Sequence, residues 1–252
     1  DQNNFKNLTL LDNTRGIWLY SSLGNFIISN LLRSGTKGVF LNSGSHSNIL
    51  ANNTLLNLID DGLSVNHSNN TIMQGNIINN TKDGIFFTYC TNTTIIYNNI
   101  TNNTYGIWAS ESVNTTIHST QINNTDNAIY LSITQYFTVN NTNITNSEYG
   151  LYLGSASDST IDNINITNAT YPLFLSSSDY NRFDTIKISS PGSSAYFDLS
   201  DNNNLSDSVM LGSSDLIVLN SSSGNALIGN FLNDSILLTD SDYTKIINNT
   251  IP

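Results

Sequence analysis

Residues 84–105 read GIFFTYCTNTTIIYNNITNNTY and residues 106–127 read GIWASESVNTTIHSTQINNTDN. Both stretches are 22 residues long and open on Gly-Ile-aromatic, with Thr-Thr-Ile in the middle and Ile-x-Asn near the end. Sliding the window by 22 brings nearly the whole chain into line, and a repeat of this length sets the architecture before any local propensity does. Openings fall at Gly16, Gly38, Gly62, Gly84, Gly106, Ala128, Gly150, Pro172 and Ser194, with looser ones near Asp215 and Ser235. The step from Gly38 to Gly62 is two residues longer than its neighbours, and the extra length is expected in the Gly/Ser loop at residues 42–47.

Within a repeat, apolar and polar residues alternate with the period of a strand. The residue after each opening reads Ile17, Val39, Leu63, Ile85, Ile107, Ile129, Leu151, Leu173, Ala195. Two further on stand Leu19, Leu41, Val65, Phe87, Ala109, Leu131, Leu153, Leu175, Phe197. Both columns are apolar throughout and face inward. A second inward column contains Ile27, Met73, Ile95, Ile117, Val139, Ile161, Phe183 and Leu205. A third contains Leu32, Ile78, Ile100, Ile122, Ile144, Ile166, Ile188 and Met210, and Leu50 and Leu56 of the longer repeat are placed near these columns. Residues 5–11 alternate in the same way and form part of a further coil.

Two or three short strands per 22 residues, with matching columns from repeat to repeat, predict parallel strands stacked around an aliphatic filling. The expected fold is all-β: a parallel β-helix, or solenoid, of about ten to eleven 22-residue coils, in a single domain over residues 1–252. Asn and Thr are poor helix formers and no segment has a 3.6-residue period. None of the 43 asparagines precedes a glycine, so the strongest hairpin signal is absent.

Between the two inward positions after each opening lies a side chain that points outward. It reads Trp18, Phe40, Ser64, Phe86, Trp108, Tyr130, Tyr152, Phe174, Tyr196, aromatic in eight of nine coils. Three readings of this stripe stand side by side: rings that stabilise the sheet, a lateral interface with a second copy, and a platform for glycan. A polar column, Asn80, Asn102, Asn124, Asn146 and Asn168, is expected to form an amide ladder at a corner where Asn tolerates left-handed backbone.

Net charge is −11 with only eight Lys and Arg, which excludes the basic stripe that nucleic acid or an anionic membrane surface requires. No apolar run is long enough to span a bilayer. Cys90 is the single cysteine, so no internal disulfide forms, and it is assigned no role. The chain begins at Asp1 without a leader, as a trimmed secreted protein or a fragment would. Asn-x-Ser/Thr occurs 18 times, with candidate glycosylation sites at Asn7, Asn52, Asn66, Asn79, Asn92, Asn114, Asn123, Asn143, Asn165, Asn204, Asn220 and Asn233.

The repeats GIWLYSS…NFIISN, GIFFTYCTNTTIIYNN, GIWASESVNTTIHSTQINN and GLYLGSASDSTIDNINITN resemble the right-handed parallel β-helix repeats of the NosD-like and pectin-lyase-like superfamily. In their Asn/Thr/Ile richness they are most similar to archaeal surface-layer, sheath and adhesin-like proteins. The resemblance implies the right hand of the helix. It covers about residues 10–250 and speaks to fold more than to function.

The expectation drawn from this is a self-assembling extracellular protein of a cell envelope, not an enzyme, with no cofactor or metal. It would polymerise head to tail through open coil ends and sideways through the aromatic stripe. A carbohydrate-binding adhesin module is the alternative, and a polysaccharide lyase or hydrolase the third. For the last, the one adjacent acid pair is Asp60 and Asp61, loosely similar to the paired-Asp element of polygalacturonases, whose Gly-His-Gly and Arg-x-Lys elements are missing. His46, His67 and His118 fall at different phases of the repeat, and Glu111 and Glu148 are read as solvated.

Overall fold

The computed structural model describes residues 2–212 and 217–252. The opening expected near Asp215 lies outside the described residues. Short strands such as Thr94–Ile96, Thr116–His118 and Thr138–Asn140 build one 12-stranded sheet. The other strands build an 18-stranded sheet that wraps the rest of each coil. In the central coils a single 12-residue strand serves that sheet: Asn99–Ser110, Gln121–Ser132, Asn143–Gly154, Asn165–Ser176. Pairing between coils is parallel and steps by one repeat, as in Ile95↔Ile117 and Ile117↔Val139.

The inward columns close on one another. Ile27, Met73, Ile95, Ile117, Val139, Ile161, Phe183 and Leu205 are fully buried, as are Ile78, Ile100 and Ile144 of the third column. In the longer coil Leu50 points inward as expected, but Leu55 fills the other inward place and Leu56 lies half-buried outside. The reason is register. Tyr20 pairs with Asn42, but Phe26 pairs with Ile49, so one residue is inserted between the two strands. Leu31 still pairs with Thr54, yet Val39 pairs with Leu63, so the second extra residue enters after Leu56. The two-residue excess is thus divided between the loop at residues 42–47 and the corner at residues 57–62.

Corners are sharp because single residues take left-handed backbone. The expected asparagine corner does so: φ is +57° at Asn80 and Asn102, +55° at Asn124, and +54° at Asn146 and Asn168. The openings need glycine for a different reason. A Cβ on Gly84 would sit 2.6 Å from the Gly106 carbonyl oxygen and 2.6 Å from Ile100 Cγ2. Elsewhere the interior holds asparagines that the outward reading missed. Asn30, Asn53, Asn76 and Asn98 are buried; the first three each donate from the side-chain amide to the next side-chain carbonyl oxygen at 3.0 Å, and Asn98 donates to the Met73 backbone carbonyl at 2.9 Å.

Candidate functional site

The column immediately before the openings carries the unusual chemistry. From the fourth opening onward it reads Asp83, Tyr105, Asn127, Tyr149, Tyr171, paired in register. At the N-terminal end it reads Arg15, Lys37 and Asp61. Lys37, Asp61 and Asp83 therefore stack on three successive coils, and the insertion after Leu56 bulges Asp60 out beside them. Asp60 and Asp61 are the acid pair expected from sequence. Lys37, Lys82 and Asp83 complete the site, and reading this column down the repeats would have found them.

Lys37 Nζ lies 2.5 Å from Asp61 Oδ2 and 2.9 Å from Asp60 Oδ2. Lys82 Nζ stands 3.8 Å from Asp60 Oδ1 and 3.6 Å from Asp83 Oδ2. Asp61 and Asp83 are buried, Asp60 is about one-third exposed, and one oxygen from each of the three converges within 4.8 Å. Three carboxylates against two ammonium groups leave one charge too many. Burial raises the Asp83 carboxyl to about 6, and the neighbouring Asp61 charge adds to the effect. Burial works against ionisation of Asp60 as well, but the hydrogen bond and charge of Lys37 prevail and lower it. Burial likewise opposes the Lys37 charge, and its bonds to Asp61 and Asp60 outweigh that and raise it. Asp83 Oδ1 is buried without a hydrogen-bond partner, and the carboxyl shares a side-chain hydrogen bond with Asp61. The oxygens form a hard-ligand set, but Lys37 already sits between two of them. The arrangement combines a proton donor, ionised carboxylates and a fixed cation, the components of general acid–base chemistry.

A groove adjoins this cluster. Two hollows of about 430 and 530 Å³ share Asn80, Thr81 and Thr104 and run along the corner from Asn57 to Glu148. Lys82 belongs to both the groove and the cluster. Glu148, read as solvated, lines the groove beside Asp126 on the preceding coil.

The aromatic stripe is present and mostly half-buried, with Ser64 as its gap. Tyr130, Tyr152, Phe174 and Tyr196 stack in series, with centroids 4.6, 5.2 and 5.2 Å apart and planes within 14°. Trp18 stacks on Phe40 and Phe86 tilts onto Trp108. Tyr105 covers Trp108, and Tyr149 stacks on Tyr171, so a second ring column backs the first. From Tyr130 to Tyr196 the ring faces are spent on each other, whereas Trp18 is 46% exposed.

In the asparagine column, Asn124 donates to Asn102 and Asn168 to Asn146, at 2.6 and 2.8 Å. Asn80 donates to Asn57, and Asn102 and Asn146 reach diagonally to Asn79 and Asn123. Among the twelve sequons, Asn66, Asn79, Asn204 and Asn220 are half-buried and the others exposed. The side-chain nitrogens of Asn92, Asn114, Asn143, Asn220 and Asn233 donate to Asn70, Asn92, Gln121, Asp198 and Gly212.

Solved structures share the architecture. DFA-IIIase from Arthrobacter chlorophenolicus A6, in complex with GF2, superposes with TM-score 0.67 at 10% identity, over 84% of this chain and 67% of that one. The A-module of the mannuronan C-5 epimerase AlgE4 from Azotobacter vinelandii gives 0.67 at 12% identity, over 100% of this chain and 86% of its own. The family 28 exopolygalacturonase of Yersinia enterocolitica gives 0.56 at 12%, over 83% of this chain and 46% of its own. At such identities the likeness establishes the fold. These neighbours are nonetheless enzymes, and together with the acid cluster they overturn the expectation that the chain is not one. No curated protein matches the sequence.

Residues 127–251 match the family described as "Right handed beta helix region", and residues 56–185 match "Periplasmic copper-binding protein (NosD)". Copper takes imidazole, thiolate or thioether ligands, and this donor set does not fit. Met73 and Met210 are fully buried in the aliphatic filling. Cys90 is buried and its thiol pushed up to about 11 by burial, so it remains protonated. His46 Nδ1 accepts the Asn69 backbone N–H at 2.8 Å, His67 stacks on Tyr89, and His118 lies several coils away. Among the described residues, only Asp60, Asp61 and Asp83 bring three such donors together, and all are carboxylates. More than half the chain is matched nonetheless, and by that measure it belongs to the NosD family, without a copper ligand set among its described residues.

Proposed function

We propose that this NosD-family β-helix cleaves glycosidic bonds in a polysaccharide, outside the cytoplasm, by acid–base catalysis at Asp60, Asp61 and Asp83. The observation that carries the reading is the acid trio itself: a carboxyl protonated up to about pH 6 beside carboxylates anchored by Lys37. Asp60, the exposed member, meets the sugar and passes to its glycosidic oxygen the proton that buried Asp83 holds, relayed through Asp61, which is hydrogen-bonded to both; water attacks the anomeric carbon as the glycosidic bond breaks and returns its proton to the trio. Lys37 is held in its cationic form, so it fixes the carboxylates instead of abstracting a proton, which disfavours β-elimination. The carbohydrate-acting neighbours and the family's periplasmic description support the same reading. A self-assembling envelope role draws no support from the stripe between Tyr130 and Tyr196, whose ring faces are already occupied.

The test is incubation with a panel of polysaccharides, reading new reducing ends. Turnover should appear with the native chain and vanish in Asp60→Asn and Asp83→Asn while far-ultraviolet circular dichroism is unchanged. Native-rate turnover in Asp83→Asn, or no turnover of any polysaccharide, would sink the proposal.

A further inference from the structure

The groove beside the cluster has a composition that selects its occupant. One wall is the left-handed asparagine corner, Asn80, Asn102, Asn124 and Asn146. The other is Lys82, Thr104, Asp126 and Glu148. Thr81, Asn103 and Thr125 form a buried floor. Each wall asparagine donates a single hydrogen bond from its side-chain nitrogen, to Asn57, Asn79, Asn102 or Asn123. An amide nitrogen has two N–H groups, so each retains one donor for a ligand, and its carbonyl oxygen has lone pairs to spare. These donors recur once per coil, every 4.8 Å or about that. The array suits a polymer that presents hydroxyls at the same regular interval.

Charge narrows the class. Asp126 and Glu148 are exposed carboxylates on adjacent coils, and the chain carries a net charge of −11. The one cation of the groove, Lys82, is engaged by Asp60 and Asp83. A polyuronate or a nucleic acid is repelled along this wall. A peptide or lipid needs apolar pockets, and the lining between Asn80 and Glu148 is entirely polar, with Leu58 and Ile59 confined to the end beside the cluster.

We infer that the groove between the asparagine corner and the Lys82–Glu148 wall binds a linear, uncharged polysaccharide lying parallel to the solenoid axis, with one end at the acid cluster. This names the substrate class of the proposed catalytic site and rests on that reading for the role of the cluster alone. The walls span three coil steps, roughly 14 Å, which accommodates about four sugar units.

The experiment is titration calorimetry on the Asp83→Asn chain, which removes turnover from the measurement. The probes are soluble glucans, mannans and fructans and their oligomers, with polygalacturonate as the anionic control. A neutral polymer should bind, with affinity rising to about four units and then levelling. Asn102→Gly and Asn124→Gly keep the left-handed corner and delete the amide, and each should weaken binding about fivefold. Asp126→Asn combined with Glu148→Gln should admit polygalacturonate. Binding that ignores both glycine variants, binding of polygalacturonate alone, or no binding at all overturns the inference. Binding without turnover by the native chain would leave the groove standing and refute the catalytic role. Turnover that ignores the groove variants would do the reverse.

Discussion

Replacing Asp83 by Asn tests the acid cluster through stability, independently of any substrate. Asparagine has nearly the shape of the protonated carboxyl, carries no charge, and donates toward Asp61 as the acid does. In the folded chain the Asp83 carboxyl is raised from 3.8 to about 6. The native state therefore binds a proton that the unfolded state releases between about pH 4 and pH 6, and stability falls as pH rises through that window. About two pH units at 1.36 kcal/mol each is on the order of 2–3 kcal/mol, lost in full above about pH 6. Asp60 is shifted the other way, so its contribution is lost only below the usual carboxylate range and does not mask the effect. Asp83→Asn removes the loss. The variant should match the native chain near pH 4 and exceed it at neutral pH, by about 5 °C in melting temperature for a chain of 252 residues. Thermal melts at a series of pH values between these limits measure the difference directly. A variant less stable than native at neutral pH, or a native chain with no slope across the window, refutes the buried-proton argument. Under the proposed function the same substitution should abolish hydrolysis, so the chain gains stability as it loses its proton source.

Three further outcomes follow. Tyr152→Ala, which strips a ring stacked on both sides, should cost about 2 kcal/mol in denaturant unfolding and leave the sedimentation coefficient unchanged, whereas a lateral interface would shift the latter. Asn53→Ala should cost about 2–3 kcal/mol, since it orphans the Asn30 N–H and removes the amide donor from the Ile27 carbonyl and from Asn76 Oδ1 inside the coil. Gly84→Ala should cost roughly 1–3 kcal/mol, because its Cβ meets the Gly106 carbonyl oxygen at 2.6 Å.

The fold was legible because the repeat constrains every coil alike. Ile95, Ile117 and Val139 occupy one column in the sequence and one buried column in space. Where the repeat breaks, legibility fails. Leu56 was placed inward because both extra residues were assigned to one loop, and a shift of one residue exchanges the faces of a strand. Asp60 and Asp61 were visible as neighbours in sequence. Lys37 and Asp83 were not, because they join the site across coils in a column that elsewhere holds tyrosine and asparagine. The buried amides Asn30, Asn53, Asn76 and Asn98 were overlooked for the opposite reason: an inward polar column contradicts the alternation rule unless every amide has a partner, and here each does.

A solenoid of near-identical coils has nothing to distinguish one coil from the next except its irregularities. In this chain they coincide. One inserted residue falls after Leu56, Ser64 interrupts the aromatic column, and Lys37, Asp61 and Asp83 stand where later coils place Tyr105, Tyr149 and Tyr171. Tyrosines at that position stack on their neighbours, as Tyr149 does on Tyr171, and stabilise the sheet. Three buried or half-buried charges do the opposite, since even a well-paired buried ion rarely recovers its desolvation. Packing therefore gives no reason for the substitution, and the surplus carboxylate, which only a proton at Asp83 neutralises, makes it worse. A cluster that weakens the fold at one place, in one register and beside one groove fits a functional site, and proton transfer is the chemistry proposed for Asp60, Asp61 and Asp83.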